Sequence, residues 1–257
     1  MPNDDNENQK KRKFPWKTAY SLMSAAAVEE RIGISMMQLS QQVIAPSTML
    51  AKAGYNLLGS NVMKKETKDR VYENIKQFLD IGVSPLDATN FNEENVKDLV
   101  LFILAPILQD FRRRTGRSFV KLFREKQLLS TDTETGGFEE FVVVDAISLR
   151  HKKYIFLVEA KRVSLAAGMG QCMLAMKDMG GRNNGGVVYG FVTTGDSWRM
   201  LSYDGALFQV TDKLHVVFDT MGNDKDKWMN QYSLLVDCVY AVLDNGGNRE
   251  GGDVVLQ

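Results

Sequence analysis

The segment Val142–Arg162, VVVDAISLRHKKYIFLVEAKR, constrains this chain more than any other part of it. Two β-rich runs, Phe141–Leu149 (FVVVDAISL) and Tyr154–Lys161 (YIFLVEAK), flank the polar turn Arg150-His151-Lys152-Lys153. That is the pattern of a hairpin buried on both faces. Charges nevertheless sit inside it: Asp145 in the first run, Glu159 and Lys161 near the end of the second. Side chains alternate along a strand, so Glu159 and Lys161 share a face while Ala160 between them points away. The short turn is expected to bring Asp145 beside Glu159.

Two carboxylates and an ammonium in otherwise apolar strands are unfavourable by several kcal/mol unless something compensates. A divalent cation would do so. Mg²⁺ (or Mn²⁺) takes carboxylate oxygens and water, and the backbone carbonyl of Ala160 offers a further oxygen beside Asp145 and Glu159. Lys161 next to such an ion is placed to hold water and to stabilise charge growing on a phosphate.

The elements around the hairpin define the fold class. Helix formers from Pro15 to Gly82, interrupted at Pro46, Gly54 and Gly59, predict helices over about 16–44, 47–58 and 61–81. A helix over 91–114 is predicted to enter through Asn90 and Asn92, with Asn90 and Glu93 in a capping relation and Glu93 and Glu94 in its first turn. It ends in Arg112, Arg113, Arg114 and Arg117. Past the hairpin the pattern predicts a helix at 165–179, strands at 187–194, 198–203 and 206–211, and a last helix at 224–244. The order implies an α/β fold, a mixed sheet flanked by helices with an N-terminal helical extension. The corresponding division is a basic leader (1–14), a helical extension (15–84), the α/β domain (85–245) and a glycine-rich tail (246–257).

Composition excludes several classes. The 257 residues carry 32 Lys+Arg against 32 Asp+Glu, which rules out histone-like electrostatic wrapping of nucleic acid and leaves only a local basic surface for it. Cys172 and Cys238 do not form a secreted disulfide framework, and His151 and His215 are too few for a His-rich zinc site. The longest apolar run, LVLFILAPIL from Leu99, has ten residues and contains Pro106, and the start of the chain has no apolar signal segment. The expectation is an intracellular protein, nuclear or cytoplasmic, without a membrane contact. The cluster Lys10-Lys11-Arg12-Lys13 reads as a solubilising leader or a nuclear-import address.

Asp145, fourteen residues before Glu159-Ala160-Lys161, resembles the core of the PD-(D/E)xK nuclease superfamily, the restriction-endonuclease-like fold. The resemblance covers about residues 91–211. It implies an acid on the second core strand and the triplet on the third holding Mg²⁺ or Mn²⁺, and hydrolysis of DNA phosphodiester bonds, with RNA left open as substrate. It further implies supporting roles for an acid on the preceding helix, here Glu94 at the head of a stripe with Leu101, Ala105 and Leu108, and for a Gln on the following helix, here Gln171. Val144 stands where the family pattern has Pro, and Glu140 is the alternative first acid. In a regular strand Glu140 and Asp145 face opposite sides, so only one reaches the ion without a bulge. Tyr189–Gly205 (YGFVTTGDSWRMLSYDG) also looks like later strands of such domains in expanded fungal and oomycete families, including crinkler-type effectors.

Arg112, Arg113, Arg114, Arg117, Lys152, Lys153 and Arg162 are the candidates for phosphate contacts. Met169, Cys172, Met173, Met176 and Met179 form a stripe at helical spacing, which predicts packing against the sheet. The alternative to an enzyme is an inactive module of the same fold that binds nucleic acid or a protein partner. A homodimer and a partner engaged through the N-terminal helices remain open.

Overall fold

The structure is a computed structural model that describes residues 14–87, 89–146, 152–183 and 185–246, apart from the side chains of 58–63. The leader through residue 13, most of the hairpin turn and the tail from 247 lie outside the described residues. An α/β sandwich is observed, with one mixed eight-stranded sheet between two helical layers.

The N-terminal part is more broken than its helix formers predict. In place of one helix over 16–44 there are a short strand β1 (Thr18–Ala19), a 3-10 turn (Tyr20–Leu22), α1 (Ala25–Ile32) and α2 (Met36–Gln41). Local chemistry explains the breaks. Ser24 and Ser35 cap the two helix starts, and Gly33, at φ +78°, closes α1 in a left-handed conformation. Then follow α3 (Pro46–Lys52), α4 (Leu57–Ile81) and α5 (Glu93–Thr115). α5 starts two residues later than predicted. Asp87 accepts both the N–H and the side-chain amide of Asn90, so Asn92 becomes the cap, in a reciprocal pair with Asn95.

The sheet strands are β2 (Val120–Leu129), β3 (Thr135–Asp145), β4 (Lys153–Ala160), β5 (Val188–Thr193), β6 (Ser197–Tyr203), β7 (Phe208–Val210) and β8 (Leu214–His215). β2, β3 and β4 pair antiparallel; α6 (Leu165–Arg182) crosses over to β5, which lies parallel to β4; β6 is antiparallel to β5 and to both β7 and β8. A short α7 (Lys225–Lys227) leads through a π turn (Trp228–Tyr232) into α8 (Leu234–Asn245).

The strands β3 and β4 are buried on both faces, as their continuous apolar runs require. Phe141, Val143, Ile155, Phe156 and Val158 pack with α4, α5 and α8, whereas Val142, Val144 and Leu157 pack with α6, α1 and Tyr20. Residues 15–84 therefore supply helices to both layers. The predicted Met/Cys stripe of α6 is buried, and it approaches β5 so closely that a Cβ on Gly190 would lie 2.6 Å from both Cys172 Sγ and Met176 Sδ. Among the described residues, no helix is long and apolar enough to cross a membrane.

Candidate functional site

The register of the β3–β4 pair decides which acids meet. Phe141 lies opposite Val158 and Asp145 opposite Lys153. Glu159 therefore follows on from the Phe141 end, and Asp145 stands six β4 residues away from it, about 20 Å along the strand. The expectation that the turn joins Asp145 to Glu159 is not met. Asp145 instead bonds Arg117 at 2.6 Å, and that arginine also donates to the carbonyl of Leu243. The reason is register: the Asp145–Lys153 pair is centred two to three residues earlier than the turn expected at Arg150–Lys153, which moves Glu159 away from Asp145 and level with Glu140.

Glu140, the alternative, and its neighbour Glu139 occupy the place instead. Pairing of β3 with β4 ends at Phe141, and the Glu140 carboxylate takes over by accepting the Ala160 N–H at 2.6 Å. Ala160 thus contributes its N–H to the cluster, where the sequence suggested its carbonyl. Across the other edge of β3, between the pairs Arg124–Phe141 and Lys126–Glu139, Glu125 sits at φ +48°, a strained conformation for a residue with a Cβ. With both strands distorted here, Glu140 faces Lys97 of α5 at 3.5 Å, while Glu139 turns to the α6 side and meets Glu159.

Glu159 and Lys161 share a face as predicted, and Lys161 Nζ stands 2.6 Å from Glu159 Oε1 and 4.0 Å from Glu93 Oε1. Gly168 of α6 makes this possible. A Cβ there would lie 2.8 Å from Val192 Cγ1, 3.1 Å from Glu159 Cγ and 3.2 Å from Lys161 Cγ, so only glycine lets the helix close over the triplet.

Burial dominates the electrostatics. Glu139 and Glu159 are fully buried and share a side-chain hydrogen bond; apart from Lys161 beside Glu159, no other described donor reaches their carboxylate oxygens. Burial, then the charge of Glu159, drives the Glu139 carboxyl far above its usual pKa, and burial raises Glu159 as well against the pull of Lys161. Each carboxylate therefore opposes ionisation of the other, and burial favours the protonated form of Glu139 above all. Burial and the nearby Glu159 push Glu140 up to about 7, opposed by the Ala160 N–H. Burial works against the Lys161 charge, but Glu159, Glu140 and Glu93 outweigh it and the ammonium titrates above its usual range.

The remaining predicted residues lie apart from this cluster. Glu94 is exposed and bonds Lys97 at 2.8 Å, pointing to solvent instead of the hairpin; its neighbour Glu93 is the acid that faces Lys161. Gln171 is half-buried on α6, one residue before Cys172. The arginines at the end of α5 are some twenty residues, about 30 Å, from Glu93. Arg113 and Arg114 neutralise the buried Asp110, with Arg70 and the Tyr240 hydroxyl, and Arg112 lines a shallow groove with Ser118 and Lys121. Lys153, opposite Asp145, and the exposed Lys152 share that distant end. Of the basic candidates, only the exposed Arg162 adjoins the cluster, next to Lys161.

The residues that sequence reasoning missed are Glu139, Glu93, Lys97 and Gly168. Counting out from the turn expected at Arg150–Lys153 puts Glu159 opposite Val144, next to Asp145; the observed register places it level with Glu140, an offset that no residue of the sequence signalled. Gly168 carried no signal either.

The sequence matches no family model and no curated protein in these comparisons. Among the described residues, no three His, Cys, Asp or Glu side chains form a ready-made set of metal ligands. The buried, mutually repelling carboxyls of Glu139 and Glu159 nonetheless fit a cation, whose charge would relieve that repulsion.

Proposed function

We propose that the chain is a metal-dependent nuclease of the restriction-endonuclease-like type, acting on DNA phosphodiester bonds with Mg²⁺ or Mn²⁺. The observation that carries this reading is the cluster where β3 and β4 part: Glu139 and Glu159 fully buried against each other, Lys161 at 2.6 Å from Glu159, and the Glu140 carboxylate on the Ala160 N–H. The order α5–β2–β3–β4–α6–β5, with β4 and β5 parallel, agrees with the core that the E-x-K triplet suggested. In this reading the first acid comes from the Glu139–Glu140 doublet, and Asp145 has no part.

Glu159 and Glu139 would hold the cation, with the Glu140 carboxylate beside them on the Ala160 N–H; when bound, the cation would supply positive charge against the phosphate oxygens. Lys161 stays protonated, so it serves as a donor that orients water and meets the charge developing on the phosphate. Glu140, near pKa 7, is the group able to accept a proton at neutral pH. Lys97 balances its charge from α5.

The test is incubation with plasmid, linear and single-stranded DNA, and with RNA, plus Mg²⁺ or Mn²⁺. Cleavage that needs metal and disappears in Glu159→Ala and Lys161→Ala supports the reading; its absence in wild type on every substrate refutes it. The complete burial of Glu139 and Glu159 favours a second reading, a closed, non-catalytic module that binds nucleic acid or a protein partner. Salt-sensitive DNA affinity that survives Lys161→Ala, with no cleavage, would select it.

A further inference from the structure

A cavity of about 450 Å³ opens at the carboxyl ends of the parallel strands β4 and β5, between α2, the start of α6 and β6. This crevice is where open α/β sheets commonly take ligands. Among the described residues its walls carry two cations, Arg199 of β6 and Lys213 before β8, and no acid. Neither cation forms an ion pair or side-chain hydrogen bond with a described residue, although Arg199 is half-buried. Asp196, between the lining residues Thr194 and Ser197, has both oxygens engaged by their hydroxyls. Met36, Leu165 and Met169 supply an apolar floor, and the Ser40, Ser164, Thr194 and Ser197 hydroxyls a polar rim.

The cavity adjoins the carboxylate cluster. Leu165 and Met169 lie within one helical turn, about 5.4 Å of rise, of Gly168, which presses on Glu159 and Lys161. An unneutralised guanidinium and ammonium over an apolar floor match a phosphate attached to a nucleoside. We propose that this pocket is a subsite for a phosphate of the nucleic-acid strand presented to the Glu159–Lys161 cluster, engaged by Arg199 and Lys213. This assignment rests on the nuclease reading.

The test uses the full chain in EDTA, so that no cleavage occurs, and a fluorescent 5′-phosphorylated single-stranded oligonucleotide followed by anisotropy. Arg199→Met with Lys213→Met should weaken binding at least tenfold and flatten its salt dependence, with an unchanged melting temperature. Inorganic phosphate should compete in wild type and not in the double variant. Equal affinity of wild type and double variant overturns the proposal, as does failure of phosphate to compete. Saturable, Arg199-dependent binding of deoxyadenosine monophosphate without binding of the oligonucleotide overturns the assignment to a strand. If wild type cleaves with metal and the double variant keeps its KM, the pocket assignment fails and the nuclease reading stands. If nothing is cleaved but oligonucleotide binding depends on Arg199 and Lys213, the nuclease reading fails and the phosphate contact stands.

Discussion

Glu140 gives the most direct test of the site's electrostatics, because its carboxyl is almost wholly buried and titrates at about 7 against an ordinary 4.5. Between those values the folded state holds a proton that the unfolded state has released, so stability falls as pH rises through this window. A displacement of this size corresponds to about 3 kcal/mol of lost stability by pH 8, at roughly 1.4 kcal/mol per unit. Glu140→Gln keeps the acceptor for the Ala160 N–H and removes the charge. In EDTA, urea unfolding at half-unit steps from pH 4.5 to 8 should give wild type and variant similar stability at pH 4.5. The variant should be ahead by about 3 kcal/mol at pH 8. Glu139 and Glu159 are present in both proteins, so their contributions largely cancel in the difference. Curves that coincide across the range would show that Glu140 is not held in a charge-opposing environment. With Mg²⁺ at pH 8, wild type should gain melting temperature and Glu140→Gln should gain less; equal gains would place any bound ion elsewhere.

Asp145→Asn should leave metal-dependent cleavage unchanged and lower stability by about 1 kcal/mol through the Arg117 pair; a loss of cleavage comparable to Glu159→Ala would contradict the register. Gly168→Ala puts a methyl 2.8 Å from Val192 Cγ1 and should cost about 1–3 kcal/mol in denaturant unfolding while reducing cleavage, because α6 must lift from Glu159 and Lys161. Asp110→Ala strips the counter-charge from Arg70, Arg113 and Arg114 and a partner from Tyr240, so it should destabilise by about 3–5 kcal/mol, read as a lowered urea midpoint at unchanged m-value.

Much of the fold was readable along the chain because it is written in local periodicity. The β3 and β4 runs, the α6 stripe and the placement of α5 all follow from spacing and burial. The N-terminal segment was not so readable: helix formers at 16–44 suit a continuous helix, but serine caps and Gly33 divide it and its pieces dock on the sheet. At the candidate site, alternation alone put Glu159 and Lys161 on one face, and a structural contact at 2.6 Å follows from that. Choosing the partner acid needed the register, which depends on where the turn falls and where pairing stops.

The sequence by itself determined the α/β class, the buried hairpin and the common face of Glu159 and Lys161, since each of these follows from side-chain period within one element. Only the tertiary structure decided that Glu139 and Glu140 join them, that Asp145 serves Arg117, and that the Arg112–Arg117 cluster lies at the opposite end of α5. Those outcomes depend on register, on the strained Glu125 opposite Glu140 and on the close approach of α6 at Gly168. Such contacts join residues distant in the chain, and no local period encodes them.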